Sequence, residues 1–76
     1  MKITGGILRS QREIKGLLLR QVAAKLDIDT AILSKIERGD RKPTKELISK
    51  LADILDLDKD ILIIQFMSEK ILYEIA

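Results

Sequence analysis

Few residues in this chain could do covalent chemistry. None of its 76 residues is histidine or cysteine, which removes imidazole bases, thiolate nucleophiles, disulfides and almost every transition-metal site. The stretch DLDKD, residues 56–60, has the alternating carboxylates that open a calcium loop. Such a loop needs glycine at its sixth position and glutamate at its twelfth, where this chain has Ile61 and Met67. Capping and solubility account for these aspartates better than a metal does. No nucleophile and base can be paired, and there is no glycine-rich phosphate loop, so neither an enzyme nor a cofactor is expected.

What remains is the non-covalent chemistry of cations. Between residues 35 and 46 five basic side chains, Lys35, Arg38, Arg41, Lys42 and Lys45, meet three acidic ones, whereas residues 53–60 hold four aspartates and one lysine. The net charge is only +2. It is therefore the local clustering, not the total, that allows an anionic partner.

These side chains must be carried by a small framework. A chain of this length is expected to form one domain that buries roughly 60% of the surface its unfolded form exposes. Apolar residues make up 46% of it and aromatics only 3%, so the core is aliphatic and suited to helices. The longest apolar run is ILII, residues 61–64, against about 20 residues needed to span a bilayer. A soluble, cytoplasmic protein with no membrane segment and no cleaved leader is the expectation.

Punctuation divides the chain into five helices. Thr4 is placed as the cap of a first helix carrying Ile7, Leu8 and Ile14, with Gly5 and Gly6 weakening its first turn and Gly16 as a left-handed stop. A second helix, residues 19–26, has Val22, Ala23 and Leu26 on one side. Asp29 is placed as the cap of a third, in which Leu33 and Ile36 share a face and Gly39 ends the run. Only Asp27, Ile28 and Asp29 separate the two, and a three-residue turn between short helices is helix-turn-helix geometry. Pro43 and Thr44 open a fourth helix with Leu47, Ile48, Leu51, Ile54 and Leu55 inward, closed by Leu57. Asp58 caps a fifth, residues 59–75, with a stripe of Ile64, Met67, Ile71 and Ile75 flanked by Ile63, Phe66 and Tyr73.

The segment LSKIERGDRKP, supported upstream by LRSQREIKGL and VAAKLDI, resembles the phage repressor and Cro type of helix-turn-helix DNA-binding domain. That type is also found in xenobiotic-response-element-like transcriptional regulators. The resemblance covers residues 8–57 and implies an all-α, lambda repressor-like five-helix domain whose third helix enters the major groove of double-stranded DNA. With Leu33 and Ile36 inward, Thr30, Ala31, Ser34 and Lys35 are the candidates for reading base edges. None offers the two-pronged contact of Arg, Asn or Gln, so direct readout is expected to be modest and DNA shape to contribute more.

Arg38, Arg41, Lys42 and Lys45 match positions that follow the phosphate backbone, and Arg20 and Gln21 near the start of the second helix can do the same. Glu37 would repel phosphate there. In the family a glutamate at this position pairs with an arginine of the first helix, here Arg12, and the resemblance implies a partly buried Arg12–Glu37 ion pair that orients the third helix.

The chain departs from the family pattern at several points. Leu18 and Leu19 replace the usual Ser or Thr and Gln at the start of the second helix, which removes a cap and a phosphate contact. Asp27 replaces the glycine of the turn, and Asp29 replaces the Ser or Thr cap while bringing negative charge close to the DNA backbone.

The fifth helix is longer than the family needs, spanning about 25 Å at 1.5 Å per residue. Ile64 and nearby residues are expected to cover the core. The distal Met67, Ile71, Leu72, Tyr73 and Ile75 then either fold back on their own domain or form an interface. A symmetric homodimer through this helix would present two third helices to half-sites roughly 34 Å apart. The function implied is a small bacterial or phage transcriptional regulator, a repressor at an inverted-repeat operator. A restriction-modification controller or an antitoxin would look the same. The alternative is a protein-interaction module that keeps the fold without binding DNA.

Overall fold

The computed structural model describes the backbone of residues 2–75 and the side chains of residues 2–72. Five helices follow one another: α1 (Lys2–Ile14), α2 (Leu19–Leu26), α3 (Thr30–Arg38), α4 (Lys45–Leu55) and α5 (Lys59–Ile75). Among the described residues there is no strand, so the all-α expectation holds.

The helix ends follow local chemistry at most junctions. Gly16 (φ 69°) and Gly39 (φ 81°) take the left-handed conformation after α1 and α3. Asp27 takes it after α2 (φ 55°), where glycine would be cheaper. At each of these three ends, two N–H groups fold back onto the last carbonyls of the helix, for example Asp27 to Ala24 and Ile28 to Ala23, both at 3.1 Å. Thr44 caps α4 by accepting from the Leu47 N–H at 3.1 Å, and Asp58 caps α5 by accepting from Ile61 at 3.0 Å.

Three local expectations are corrected. Helix α4 ends at Leu55, not Leu57, because Asp56 turns left-handed (φ 56°) and the Leu57 N–H returns to the Ala52 carbonyl. Asp29 occupies the cap position of α3, but its carboxylate accepts no hydrogen bond from that helix. Its charge still lies at the positive end of the helix dipole. Thr4 does not cap α1: the helix begins at Lys2, and Thr4 lies buried within its first turn.

The core is aliphatic around one large ring. Leu8 of α1, Val22 and Leu26 of α2, Leu33 and Ile36 of α3, Ile48, Leu51 and Leu55 of α4, and Leu62 and Phe66 of α5 are all buried. Each large side chain removed from water contributes about 1.5–3 kcal/mol. Two sequence assignments fail here. Ile14 is exposed near the end of α1, and Ile64 is 65% exposed. Leu62 and Phe66, at i and i+4, supply the inward face of α5 instead.

Helix α1 is tied to every neighbour except α2 by polar contacts. Gln11 Nε2 donates to the Leu55 carbonyl at the end of α4 at 2.9 Å, and Lys15 pairs with Asp56 just beyond it. Gly5 lies directly against the last turn of α3: a Cβ built there would stand 2.5 Å from the carbonyl oxygens of both Ile36 and Glu37. The glycine that weakens the helix locally is thus what permits a backbone-to-backbone crossing.

Candidate nucleic-acid interface

One side of α3 belongs to the core and the other to solvent. Leu33, Ile36 and Glu37 are buried. Thr30, Ala31 and Lys35 are exposed, Ser34 is half-buried, and Arg38 is exposed one turn beyond Ser34 and Lys35. At 100° per residue Ala31, Lys35 and Arg38 share one face, so Arg38 continues the exposed side of α3 toward the basic loop.

The chain then turns through Gly39 and runs to α4 with Arg41, Lys42 and Lys45 exposed and Pro43 buried. Buried proline fixes one end of this segment while its cationic neighbours face water. Arg38 Nε lies 3.3 Å from Asp40 Oδ2 in an exposed pair, a contact worth little by itself but one that aligns the guanidinium along the loop.

At the start of α2, Arg20 and Gln21 are exposed. Leu18 stands at the cap position and has no side-chain acceptor, yet the Gln21 Oε1 accepts from the Leu18 N–H at 2.8 Å. Half of a capping box therefore survives the loss of the hydroxyl. Gln21 is drawn partly away from a phosphate role, since its amide oxygen is already committed.

Glu37 does not face the basic surface. Its carboxylate takes two hydrogen bonds from Arg12, Nε to Oε2 at 2.8 Å and Nη2 to Oε1 at 3.1 Å. Arg12 Nη1 also donates to the Leu17 carbonyl at 2.9 Å. The guanidinium thus joins α1, the α1–α2 turn and α3. Its hydrogen bonds to Glu37 raise the Arg12 pKa further, against the opposing effect of burial, so the guanidinium stays charged.

A second buried carboxylate escapes the sequence reading. Glu69 of α5 is 8% exposed and accepts from the Ile3 N–H at 2.8 Å and the Thr4 N–H at 2.9 Å. It caps α1 from 65 residues away, in the place assigned to Thr4. Burial alone would raise its pKa. The neighbouring Thr4 hydroxyl and the two N–H groups more than offset that, leaving it below the usual glutamate value. The Thr4 hydroxyl itself is buried without a hydrogen bond of good geometry. A signal for Glu69 was present, because it falls at i+7 from Leu62 and i+3 from Phe66, in the core register of an apolar helix.

The outer face of α5 is apolar. Ile61, Ile64, Met67, Ile71 and Leu72 are exposed, and of these Met67, Ile71 and Leu72 were assigned to a dimer interface. The side chains of Tyr73 and Ile75, assigned to the same interface, lie outside the described residues. Among the described residues no cluster of His, Cys, Asp or Glu could hold a metal ion, and no helix is long and apolar enough to cross a membrane.

Two helices joined by a three-residue turn entered through the left-handed Asp27, the second with one face in the core and one outward, define a helix-turn-helix unit. A family model described as helix-turn-helix matches residues 8–62, and the chain belongs to that family. It is 34% identical over 61 residues to an uncharacterized HTH-type transcriptional regulator of Mycobacterium tuberculosis H37Rv, a match covering 80% of this chain and 44% of that protein. It is 33% identical over 63 residues to the transcriptional regulator ClgR of the same organism, covering 83% and 56%. It is 38% identical over 59 residues to the uncharacterized HTH-type transcriptional regulator YazB of Bacillus subtilis, covering 78% and 86%. The chain thus spans about half the length of the two mycobacterial relatives. No solved structure matches it significantly.

Proposed function

We propose that this protein is a sequence-specific DNA-binding transcriptional regulator that inserts α3 into the major groove. The observation that carries the reading is the division of α3 into a buried face, held by Leu33, Ile36 and the Arg12–Glu37 pair, and an exposed face of Thr30, Ala31, Ser34 and Lys35. That exposed face leads directly into Arg38, Arg41, Lys42 and Lys45. A helix of this width fits the groove, and the cations that follow it match the phosphate path. The relatives are named as transcriptional regulators, which supports the same reading.

In this reading Lys35 donates to guanine, Ser34 and Thr30 exchange hydrogen bonds with base edges, and Ala31 packs on a thymine methyl. Arg38, Arg41, Lys42 and Lys45 hold register on the backbone, with Arg20 at the start of α2. The exposed apolar face of α5 joins two copies, and the homodimer acts as a repressor at an inverted-repeat operator. The run of exposed apolar side chains along that face, Ile61, Ile64, Met67, Ile71 and Leu72, supports this reading.

One observation favours a second reading, a protein-interaction module: Leu18 is exposed where the family has a polar cap, Leu19 is half-buried where it has an amide on phosphate, and the turn that follows α2 exposes Asp27 and Asp29. Selection of bound sites from random DNA, followed by titration at roughly 50 mM and 200 mM salt, decides between them. A recovered two-fold half-site and a steep salt dependence are expected. Absence of binding to any DNA at the lower salt would favour the interaction module.

A further inference from the structure

The first turn of α1 is held between two other helices. On one side the Glu69 carboxylate of α5 accepts from the Ile3 and Thr4 N–H groups at 2.8 and 2.9 Å. On the other side Gly5 rests on the Ile36 and Glu37 carbonyls of α3, and Lys2 lies against Gly39, where an added Cβ would meet it at 2.8 Å. The Gly5 contact is made by backbone atoms alone, and at Gly39 the Lys2 backbone packs together with its Cγ, so a shift of this turn is transmitted directly to the end of α3.

We propose that Glu69 is a positioning residue for the DNA-reading helix: by anchoring the first turn of α1, it sets where the C-terminal turn of α3 sits. The inference rests on the reading of α3 as the helix that contacts DNA. It gives α5 a second role, because the same helix carries the outward apolar face and the inward carboxylate. A copy docked on α5 is thereby linked to α3 through α1.

The carboxylate is matched to its task. Two N–H donors arrive at two oxygens, one each, and neither donor has a carbonyl partner at the start of a helix. Glutamine has the same shape but offers one oxygen and one NH2, so Glu69→Gln sets a donor against a donor with almost no change in volume. The cap is broken without opening a cavity.

The test uses the full chain and two matched helix ends. The Gly39 and Asp40 N–H groups close α3 on Ile36 and Lys35, while the Asp27 and Ile28 N–H groups close α2 on Ala24 and Ala23 in the same way. In Glu69→Gln, native-state hydrogen exchange at Gly39 and Asp40 is expected to accelerate at least tenfold more than at Asp27 and Ile28. In parallel, the affinity ratio between the selected DNA site and a one-base-pair variant is expected to fall at least threefold, with the salt slope unchanged.

A global loss of stability would speed exchange at both ends equally and weaken both DNAs alike; either result overturns the proposal. Should Glu69→Gln not fold, Ile3→Pro removes one of the two donors instead of the acceptor, in a first turn that tolerates proline, and the same two readings apply. Should the wild-type chain bind no DNA, the functional reading fails by itself. The exchange comparison then still decides whether Glu69 positions α3.

Discussion

Gly5 and Glu37 meet backbone to backbone: a Cβ on Gly5 would stand 2.5 Å from the Glu37 carbonyl oxygen, closer than real Cβ contacts come. Gly6, its neighbour, has nothing within 4 Å of the same construction. Gly5→Ala should therefore destabilise by about 1–3 kcal/mol through overpacking, despite the gain in helix propensity. Gly6→Ala should stabilise by about 0.5–1 kcal/mol. Thermal unfolding separates them, since about 1 kcal/mol moves the midpoint of a domain of this size by roughly 4–8 °C.

The Arg12–Glu37 pair predicts an asymmetry. Arg12→Met leaves a buried carboxylate without its partner and the Leu17 carbonyl without its donor, and should cost about 3–5 kcal/mol in denaturant titrations. Replacing both residues, Arg12→Met with Glu37→Leu, should cost clearly less than Arg12→Met alone, because no charge is then stranded. A double variant as unstable as the single one would mean that the pair does more than compensate its own burial.

Glu69 makes stability depend on pH with a definite sign. Its folded pKa is below the ordinary value of 4.5. The stabilisation it provides is therefore present above about pH 4.5 and lost as pH falls through the lower folded-state value. Glu69→Gln should be less stable by about 2 kcal/mol at pH 7, and its stability should fall less steeply on acidification. Asp56, lowered by its hydrogen bond to Lys15, contributes to the acid limb of both proteins and cancels in the comparison.

On DNA, Lys35→Ala should relax preference at one base pair, at a cost of about 1 kcal/mol for the preferred base, the low end of the range because the contact is not two-pronged. Arg41→Ala should weaken all sequences alike and reduce the slope of log affinity against log salt by about one. The contrast between the two variants, read in one set of fluorescence titrations, distinguishes a reading face from a backbone path. Equal effects of both substitutions would contradict the assignment of α3 as the reader.

For the α5 face, the proposed dimer predicts that Ile71→Asp sediments as a monomer at concentrations where the wild type does not, without loss of helical signal, since Ile71 is exposed in the single chain. Binding to a two-half-site DNA should weaken more than binding to a single half-site. A wild-type chain that sediments as a monomer at tens of micromolar would remove the dimer.

Most of the architecture was readable because it rests on short-range rules. Gly16, Gly39, Thr44 and Asp58 act on groups within five residues of themselves, and the three-residue turn with Asp27 left-handed needs no knowledge of distant chain. The errors were also local. Thr4 has the side chain of a cap, yet α1 begins earlier because a distant carboxylate supplies the acceptor. Asp29 has the right type and position, but its carboxylate makes no cap hydrogen bond. Ile64 has the right hydrophobicity and the wrong face, since α5 is apolar nearly all round and periodicity cannot choose an inward side.

Taken alone, the sequence determined the five helices, their order, the helix-turn-helix spacing and the absence of histidine and cysteine chemistry, because each follows from neighbouring residues or from composition. The tertiary structure decided which charges are buried and which helices hold α3 in place. Glu69 on Ile3 and Thr4, Gly5 on Glu37 and Gln11 on Leu55 join groups from 32 to 66 positions apart. Contacts of that separation depend on how packed helices cross, and no local pattern encodes a crossing.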